Sequence, residues 1–560
     1  MRRLVRNAVL SAGVLALTVP LASAYAESPA KPGGFVPPGL EKFYAQKLEW
    51  APCKKGESTL GRAGASSRAA VRAGGDDWAT RWQKIQCTTV RVPLDHRRPD
   101  GPEETVALSR RAATGPGNRL GVLLPVPGGP GEEGFYNALA ERYDKLAERY
   151  DIIGYDPRGV GRSSRLECAD HVWIDHPTRP TAAEMRAVVE QVRKNEDGCR
   201  RAGGERRRFF TTANSARDLD IVRAALGETK LNLLGQSYGT YVTAVYGSLF
   251  PGGLNRNVLD SAVHPRWPWR EAWRRQAMAQ RKAADAWMAW AARHDDRYRL
   301  GRTAEAVHDS VERLRAELAA PEAAGEGHRP SGSEFDSIIG YANDPADWDY
   351  VADVVVSLRG TSTPAQRADA GRAVAVLSAA GDPNGRGAGA GDEGEGETAN
   401  GVWSAVNCEV PWPKDPEVYY ADMRLFAEKY PYGWGARSAA PLECAFTDMK
   451  PLEPTVPLRR AGYPQGIVVQ GEFDPATPYE GGPAMAGLLH QRLVTGRGEG
   501  RHVAYGENAC YTAIVDEYLL DGKLPAEGAA CAGPDPDAPP PPDESDSLQE
   551  QARDMVRERS

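Results

Sequence analysis

Three side chains in this chain have the types and the order for acyl transfer: a serine, then an aspartate, then a histidine. Ser237 lies in Gly235-Gln236-Ser237-Tyr238-Gly239, after the apolar run Leu231-Asn232-Leu233-Leu234 and before Thr240-Tyr241-Val242-Thr243-Ala244-Val245-Tyr246. A serine caught between a strand and a helix, with glycine two residues away on each side, sits on a turn too tight for side chains at the flanking positions, and its hydroxyl is exposed. A serine hydroxyl needs a base to become a nucleophile at neutral pH, and the base needs a carboxylate to fix its tautomer. Asp474 follows the apolar run Gly466-Ile467-Val468-Val469-Gln470, within Gly471-Glu472-Phe473-Asp474-Pro475-Ala476-Thr477-Pro478. Of the nine histidines only His490 and His502 come after it. His490 falls inside a helical pattern over 484–493, whereas His502 lies in a glycine-flanked loop, so His502 is the expected base and His490 the alternative. A purely structural Asp474, forming a turn before Pro475, is the weaker reading.

The negative charge that develops on an attacked carbonyl needs preorganised donors. One is expected from the backbone of Tyr238. The other is expected from Gly129, in the Gly128-Gly129-Pro130-Gly131 loop that follows the buried-strand run 121–126. A second strand, 150–155, leads into Asp156-Pro157-Arg158-Gly159-Val160-Gly161-Arg162-Ser163, helical periodicity covers 215–226, and 257–260 reads as a further buried strand. Strands alternating with helices predict a mostly parallel sheet with helices on both faces, an α/β architecture. Between 266 and 400 the pattern turns to Ala/Arg-rich helix with Trp267, Trp269, Trp273, Trp287 and Trp290, read as an inserted helical lid whose tryptophans form its own core.

The expected organisation is a signal segment (1–26), an N-terminal extension (27–91), the first half of the core (92–265), the lid (266–400), the second half of the core (401–532) and a disordered tail (533–560). Three arginines, an apolar stretch of about fourteen residues and small residues ending at Ala24 or Ala26 make 1–26 a secretory signal, too short for a stable membrane anchor. Export favours disulfides for the eight cysteines over metal sites. Sequential pairing, Cys53 with Cys87, Cys168 with Cys199, Cys408 with Cys444 and Cys510 with Cys531, closes four local loops, and other connectivities stay open. A net charge of -7 argues against a nucleic-acid partner, and the basic run Arg206-Arg207-Arg208 reads as a solvated loop. No metal-ligand spacing occurs and no cofactor is implied.

Four ordered motifs, Gly-Gly-Pro-Gly at 128–131, Asp156 to Ser163, Gly-Gln-Ser-Tyr-Gly-Thr at the serine, and 471–478 at the acid, together resemble the secreted tripeptidyl aminopeptidases and their proline iminopeptidase relatives among the α/β-hydrolases. The resemblance implies an α/β-hydrolase fold and a serine exopeptidase that releases short peptides, tripeptides above all, from free N-termini as a secreted monomer. The chain departs from that pattern at Pro127, where relatives carry histidine, and at Glu132 and Glu133, where they carry small residues. Glu132, Glu133 and Glu409 are the carboxylates expected near the site that could receive a substrate's α-amino group. Two rivals remain: a secreted esterase or acyltransferase with the same three residues, and a binding protein on an inactive hydrolase scaffold.

Overall fold

The computed structural model describes residues 36–53, 77–115, 119–172, 174, 176–267, 269–320, 330–360, 362–380 and 399–538. The expected signal segment, the Gly/Ala-rich stretch 56–75, the Gly-rich patch 381–396 and the proline run 539–542 lie outside them. Twelve strands are described: β1 (Ala51–Pro52), β2 (Gln86–Pro93), β3 (Glu103–Arg111), β4 (Val122–Val126), β5 (Asp151–Tyr155), β6 (Glu167–Cys168), β7 (Leu231–Gln236), β8 (Leu254–Asp260), β9 (Ala399–Asn400), β10 (Ile467–Gly471), β11 (Arg492–Arg497) and β12 (Ala530–Ala532). Ten of them form one sheet in the order β1-β2-β3-β5-β4-β7-β8-β10-β11-β12, while β6 and β9 pair separately. The β1, β2, β3 and β5 neighbours are antiparallel, and every pair from β5 through β4 to β12 is parallel.

The central strands are apolar on both sides because helices cover both faces. In β4, Val122, Leu124 and Val126 face one core cluster, with Val242 and Val245 of helix Tyr238–Leu249, while Leu123 faces the other, with Val515 and Leu519 of helix Ala509–Asp521. In β10, Val468 takes the first side and Ile467 and Val469 the second. This period of two belongs to the mostly parallel sheet, covered on both faces, that the alternating pattern predicts.

The sheet reaches further towards the N-terminus than the sequence pattern indicates. The division at 91/92 falls inside β2, and Phe43, within the expected extension, is buried in the main core. The two-residue β1 is too short to show a period, and β2 alternates in burial only in its second half. Between β8 and β10 the regular elements of the described chain are helices apart from the two-residue β9, with Arg270–Arg293 the longest. Trp287 and Trp290 pack with Val311, Phe335, Ile338 and Trp348 in a cluster of their own. Trp269 instead joins the main core, its ring centroid 5.6 Å from that of Tyr238, and Trp273 donates to Asn407 Oδ1 at 2.8 Å. These two tryptophans lie at the root of the insertion, Trp269 against Tyr238 and Tyr241 of the serine helix and Trp273 against Trp403.

Two further expectations are corrected. Arg206-Arg207-Arg208 belongs to a 3-10 helix, Gly204–Phe209, rather than a solvated loop: Arg207, 2% exposed, makes a two-pronged ion pair with buried Glu196, and Arg206 does the same with Glu104. The start of the tail is placed as well, since Asp537 Oδ1 accepts from Trp290 Nε1 at 2.7 Å. All eight cysteines are paired, Cys53–Cys87, Cys168–Cys199, Cys408–Cys444 and Cys510–Cys531.

Candidate active site

Because β4, β7, β10 and β11 run parallel, the loops that leave their C-terminal ends collect along one edge of the sheet. Those loops carry Gly129, Ser237, Asp474 and His502. Ser237 is the N-cap of helix Tyr238–Leu249, with φ 53 and ψ -124, outside the regions ordinary residues occupy. Steric exclusion holds the turn there. A Cβ on Gly239 would come 2.1 Å from the Val126 carbonyl oxygen, and one on Gly235 would come 2.5 Å from that of Gly239. A Cβ on Gly128 would meet Ser237 Cβ at 3.0 Å and Glu132 Oε2 at 3.1 Å, so the glycine loop, the serine and Glu132 converge on one point. Tyr238 is the first residue of the helix, and its amide is among the four that have no acceptor within the helix. Gly129, at φ 96, precedes a cis bond to Pro130.

Asp474, 1% exposed, accepts from the Ala476 and Thr477 amides at 2.9 and 2.8 Å and from Thr477 Oγ1 at 2.8 Å. Both of its oxygens lie 3.0 Å from His502 Nδ1. With the backbone donors aiming the carboxylate, Nδ1 carries the proton and Nε2 is left as the basic nitrogen. Burial favours the neutral ring, but the charge and hydrogen bond of Asp474, helped by Asp260 and Glu132, hold the His502 pKa above the ordinary histidine value. His490 is elsewhere. It ends helix Gly481–Leu489 at φ 54, is exposed and pairs with Arg460.

The three candidate amine receptors have different surroundings. Glu132 faces Ser237 across Gly128, whereas Glu133 packs its Cγ 3.0 Å from where a Cβ on Gly161 would be. Glu409 is buried behind Tyr238: it accepts from the Thr212 amide and hydroxyl at 2.9 and 2.8 Å and from Trp269 Nε1 at 3.1 Å, and Thr212 Oγ1 lies 2.9 Å from the Tyr238 hydroxyl. Burial pushes its pKa up to about 7.

The motif from Asp156 to Ser163 is structural. Asp156 receives the Gly134, Phe135 and Arg162 amides, and Arg158, 1% exposed, forms an ion pair with Asp218 while its other N–H groups reach the Pro93, Leu94 and Phe209 carbonyls. Sequence reading assigned no role to Thr477, Asp260 or Ser261. Thr477 stands within the quoted acid motif, and an aspartate closing a buried strand run was the available signal for Asp260.

Among the described residues no group of three or more His, Cys, Asp and Glu is placed to hold a metal ion, and no helix is long and apolar enough to cross a membrane.

A serine at a strained strand-to-helix turn, with an Asp–His pair brought to the same sheet edge by later strands, is the layout of the α/β-hydrolases. The family model for the alpha/beta hydrolase fold matches residues 121–509. The chain is 36% identical over 510 residues to a tripeptidyl aminopeptidase of Streptomyces lividans, covering 84% of this chain and 89% of that one. It is 30% identical over 524 residues to serine protease Hip1 of Mycobacterium tuberculosis, covering 88% and 92%. A protein of the same organism named carboxylesterase B is 30% identical over 560 residues, covering 95% and 99%. The chain belongs to the α/β-hydrolase family, in the group of the tripeptidyl aminopeptidases and their serine peptidase relatives.

Proposed function

We propose that the protein is a secreted serine exopeptidase that releases tripeptides from free N-termini. The observation that carries the chemistry is the Asp474–His502 pair, 3.0 Å apart, at the sheet edge that also carries half-buried Ser237. Ser237 Oγ attacks the scissile carbonyl carbon as His502 Nε2 takes its proton. The amides of Tyr238 and Gly129 receive the oxyanion. Collapse expels the new N-terminus, protonated by His502, and a water activated by the same nitrogen cleaves the acyl-enzyme. The helical insertion acts as a lid that limits entry to chain ends. Export with removal of 1–26 near Ala24 or Ala26 suits four disulfides.

An extended peptide rises about 3.3–3.6 Å per residue, which puts a tripeptide's α-amine on the order of 10 Å from the carbonyl that is attacked. Glu132, against Ser237, is too near to receive it and matches the amine of a single residue instead. Glu409 and Glu133 are the acids that remain for a tripeptide. The test compares free and N-acetylated tripeptidyl anilides, with aminoacyl anilides alongside. Acetylation should abolish turnover, and Glu132→Gln should leave tripeptidyl turnover largely intact. Equal turnover of free and acetylated substrates overturns the exopeptidase reading. A Glu132→Gln loss confined to aminoacyl anilides, with those the better substrates, overturns tripeptide release in favour of single residues. The kinship to a carboxylesterase B over nearly the whole chain favours one second reading, an ester hydrolase. Faster turnover of short acyl esters than of any anilide would establish it.

A further inference from the structure

His502 is followed by three consecutive amides that all donate to two residues at the end of β8. Val503 N donates to Ser261 Oγ at 2.8 Å, Ala504 N to Asp260 Oδ1 at 3.3 Å and Tyr505 N to Asp260 Oδ2 at 2.9 Å. The same two residues touch the other parts of the triad. The Asp260 carbonyl accepts from Ser237 N at 3.0 Å, and Ser261 N donates to the Val469 carbonyl in β10, the strand that leads to Asp474, at 3.0 Å. Asp260 and Ser261 are buried, 0% and 2% exposed.

The backbone at these points is strained. Of the six described non-glycine residues with φ in the left-handed region, three are Ser237 (53), Ser261 (60) and Val503 (65). A β-branched residue rarely adopts this conformation, and it persists only where the surroundings over-determine it. At Val503 the surroundings are the three amide bonds to Asp260 and Ser261. A loop that only had to close could relax there; this loop carries a side chain that has to meet Asp474 on one side and the Ser237 hydroxyl on the other.

We propose that Asp260 and Ser261 are positioning residues for the triad, a two-residue hub that holds the His502 loop in register with the serine turn and the acid strand. The proposal rests on Ser237 and His502 being nucleophile and base. Asp260 also acts through charge: the titratable groups that bear on His502 are Asp474, Asp260 and Glu132, and each raises its pKa. Burial pushes Asp260 itself up to about 6, so above that pH it is an anion behind the imidazole. Its removal lowers the His502 pKa.

The readout is phosphonylation of Ser237 by a fluorophosphonate, which depends on the base and on no peptide specificity. For Asp260→Asn the limiting rate should fall about a hundredfold, the cost of displacing a catalytic group by roughly an ångström, with the half-saturating probe concentration within about threefold. The acid limb of its pH profile should move to lower pH, an effect that loosened packing alone would not produce. For Ser261→Ala, which removes one acceptor and leaves the carboxylate, the rate should fall about tenfold with the limb in place. A folded Asp260→Asn protein with a rate within about threefold of the parent and an unmoved limb overturns the proposal. If Asp260→Asn does not fold, Ser261→Ala decides alone, a parental rate overturning the proposal and a tenfold loss supporting it. Labelling of Ser237→Ala at the same site would instead sink the underlying assignment of the nucleophile.

Discussion

The two halves of the site are held by different forces. Around Ser237 the chain is fixed by contact between backbones: Gly239 lies against the Val126 and Pro127 carbonyls, and Gly128 against Ser237 itself. Around Asp474 and His502 it is fixed by hydrogen bonds, several of them from the helical insertion. Gln276 Nε2 donates to the Ala476 carbonyl at 2.7 Å, Asn343 Nδ2 to that of Gly500 at 2.9 Å, and Arg501 pairs with Asp344 at 3.2 Å. Steric exclusion admits one arrangement of the serine turn, set by β4 and the loop that follows it. Hydrogen bonds and an ion pair tie the loops of Asp474 and His502 to the helical insertion instead.

The largest test of this contrast is the triad. Ser237→Ala and His502→Ala should each lower turnover on the order of a millionfold, and Asp474→Asn on the order of ten-thousandfold, since the carboxylate orients the ring and does not transfer the proton. His490→Ala should keep parental kinetics, and a dead His490 variant would move the base out of the His502 loop.

Arg158→Met should cost about 3–5 kcal/mol, because buried Asp218 loses its guanidinium partner and keeps only the contact with His96 Nε2 at 2.8 Å. Its kinetics should stay near parental once folded, as the ion pair supports the core and touches neither half of the site. Chemical denaturation alongside steady-state rates checks both. Replacing Cys510 and Cys531 by serine should cost about 2–5 kcal/mol. It should also lower activity, because helix Ala509–Asp521 begins seven residues after His502 and its cap, Asn508, accepts from Cys510 N at 3.0 Å.

A smaller effect separates the halves directly. Asn343→Ala and Asp344→Ala should lower kcat by about tenfold with little change in melting temperature, because the His502 loop loses its hold on the insertion while the core is untouched. Full activity in both would mean that the acid–base half is as self-contained as the serine turn. The smallest is a pH effect. The base must be neutral to accept the Ser237 proton, and its raised pKa keeps the ring protonated to higher pH. Thus kcat/KM should fall on acidification through a value above that of an ordinary histidine, and Asp474→Asn should bring that limb down.

What could be read along the chain is what local rules specify. The serine turn is legible within 231–249 because a strand, a glycine-flanked serine and a helix follow one another there and Gly235 is demanded by the Gly239 carbonyl, although Gly239 answers to the distant Val126 and Pro127 carbonyls. The buried strands announce themselves because both faces of a parallel sheet are apolar. The order of Ser237, Asp474 and His502 is likewise written in line. Other features depend on which distant segments meet. The Arg206-Arg207-Arg208 run looks solvated until Glu196 and Glu104 are placed against it, and the motif from Asp156 to Ser163 is bracing because Arg158 finds Asp218. The three glutamates are alike on paper, yet Glu132 faces the serine, Glu133 packs at Gly161 and Glu409 is bound by Thr212 and Trp269. Asp260 and Ser261 meet residues 503–505 across some 240 positions, a pairing that no periodicity encodes, since hydrogen-bond geometry is decided only when strands and loops are brought side by side.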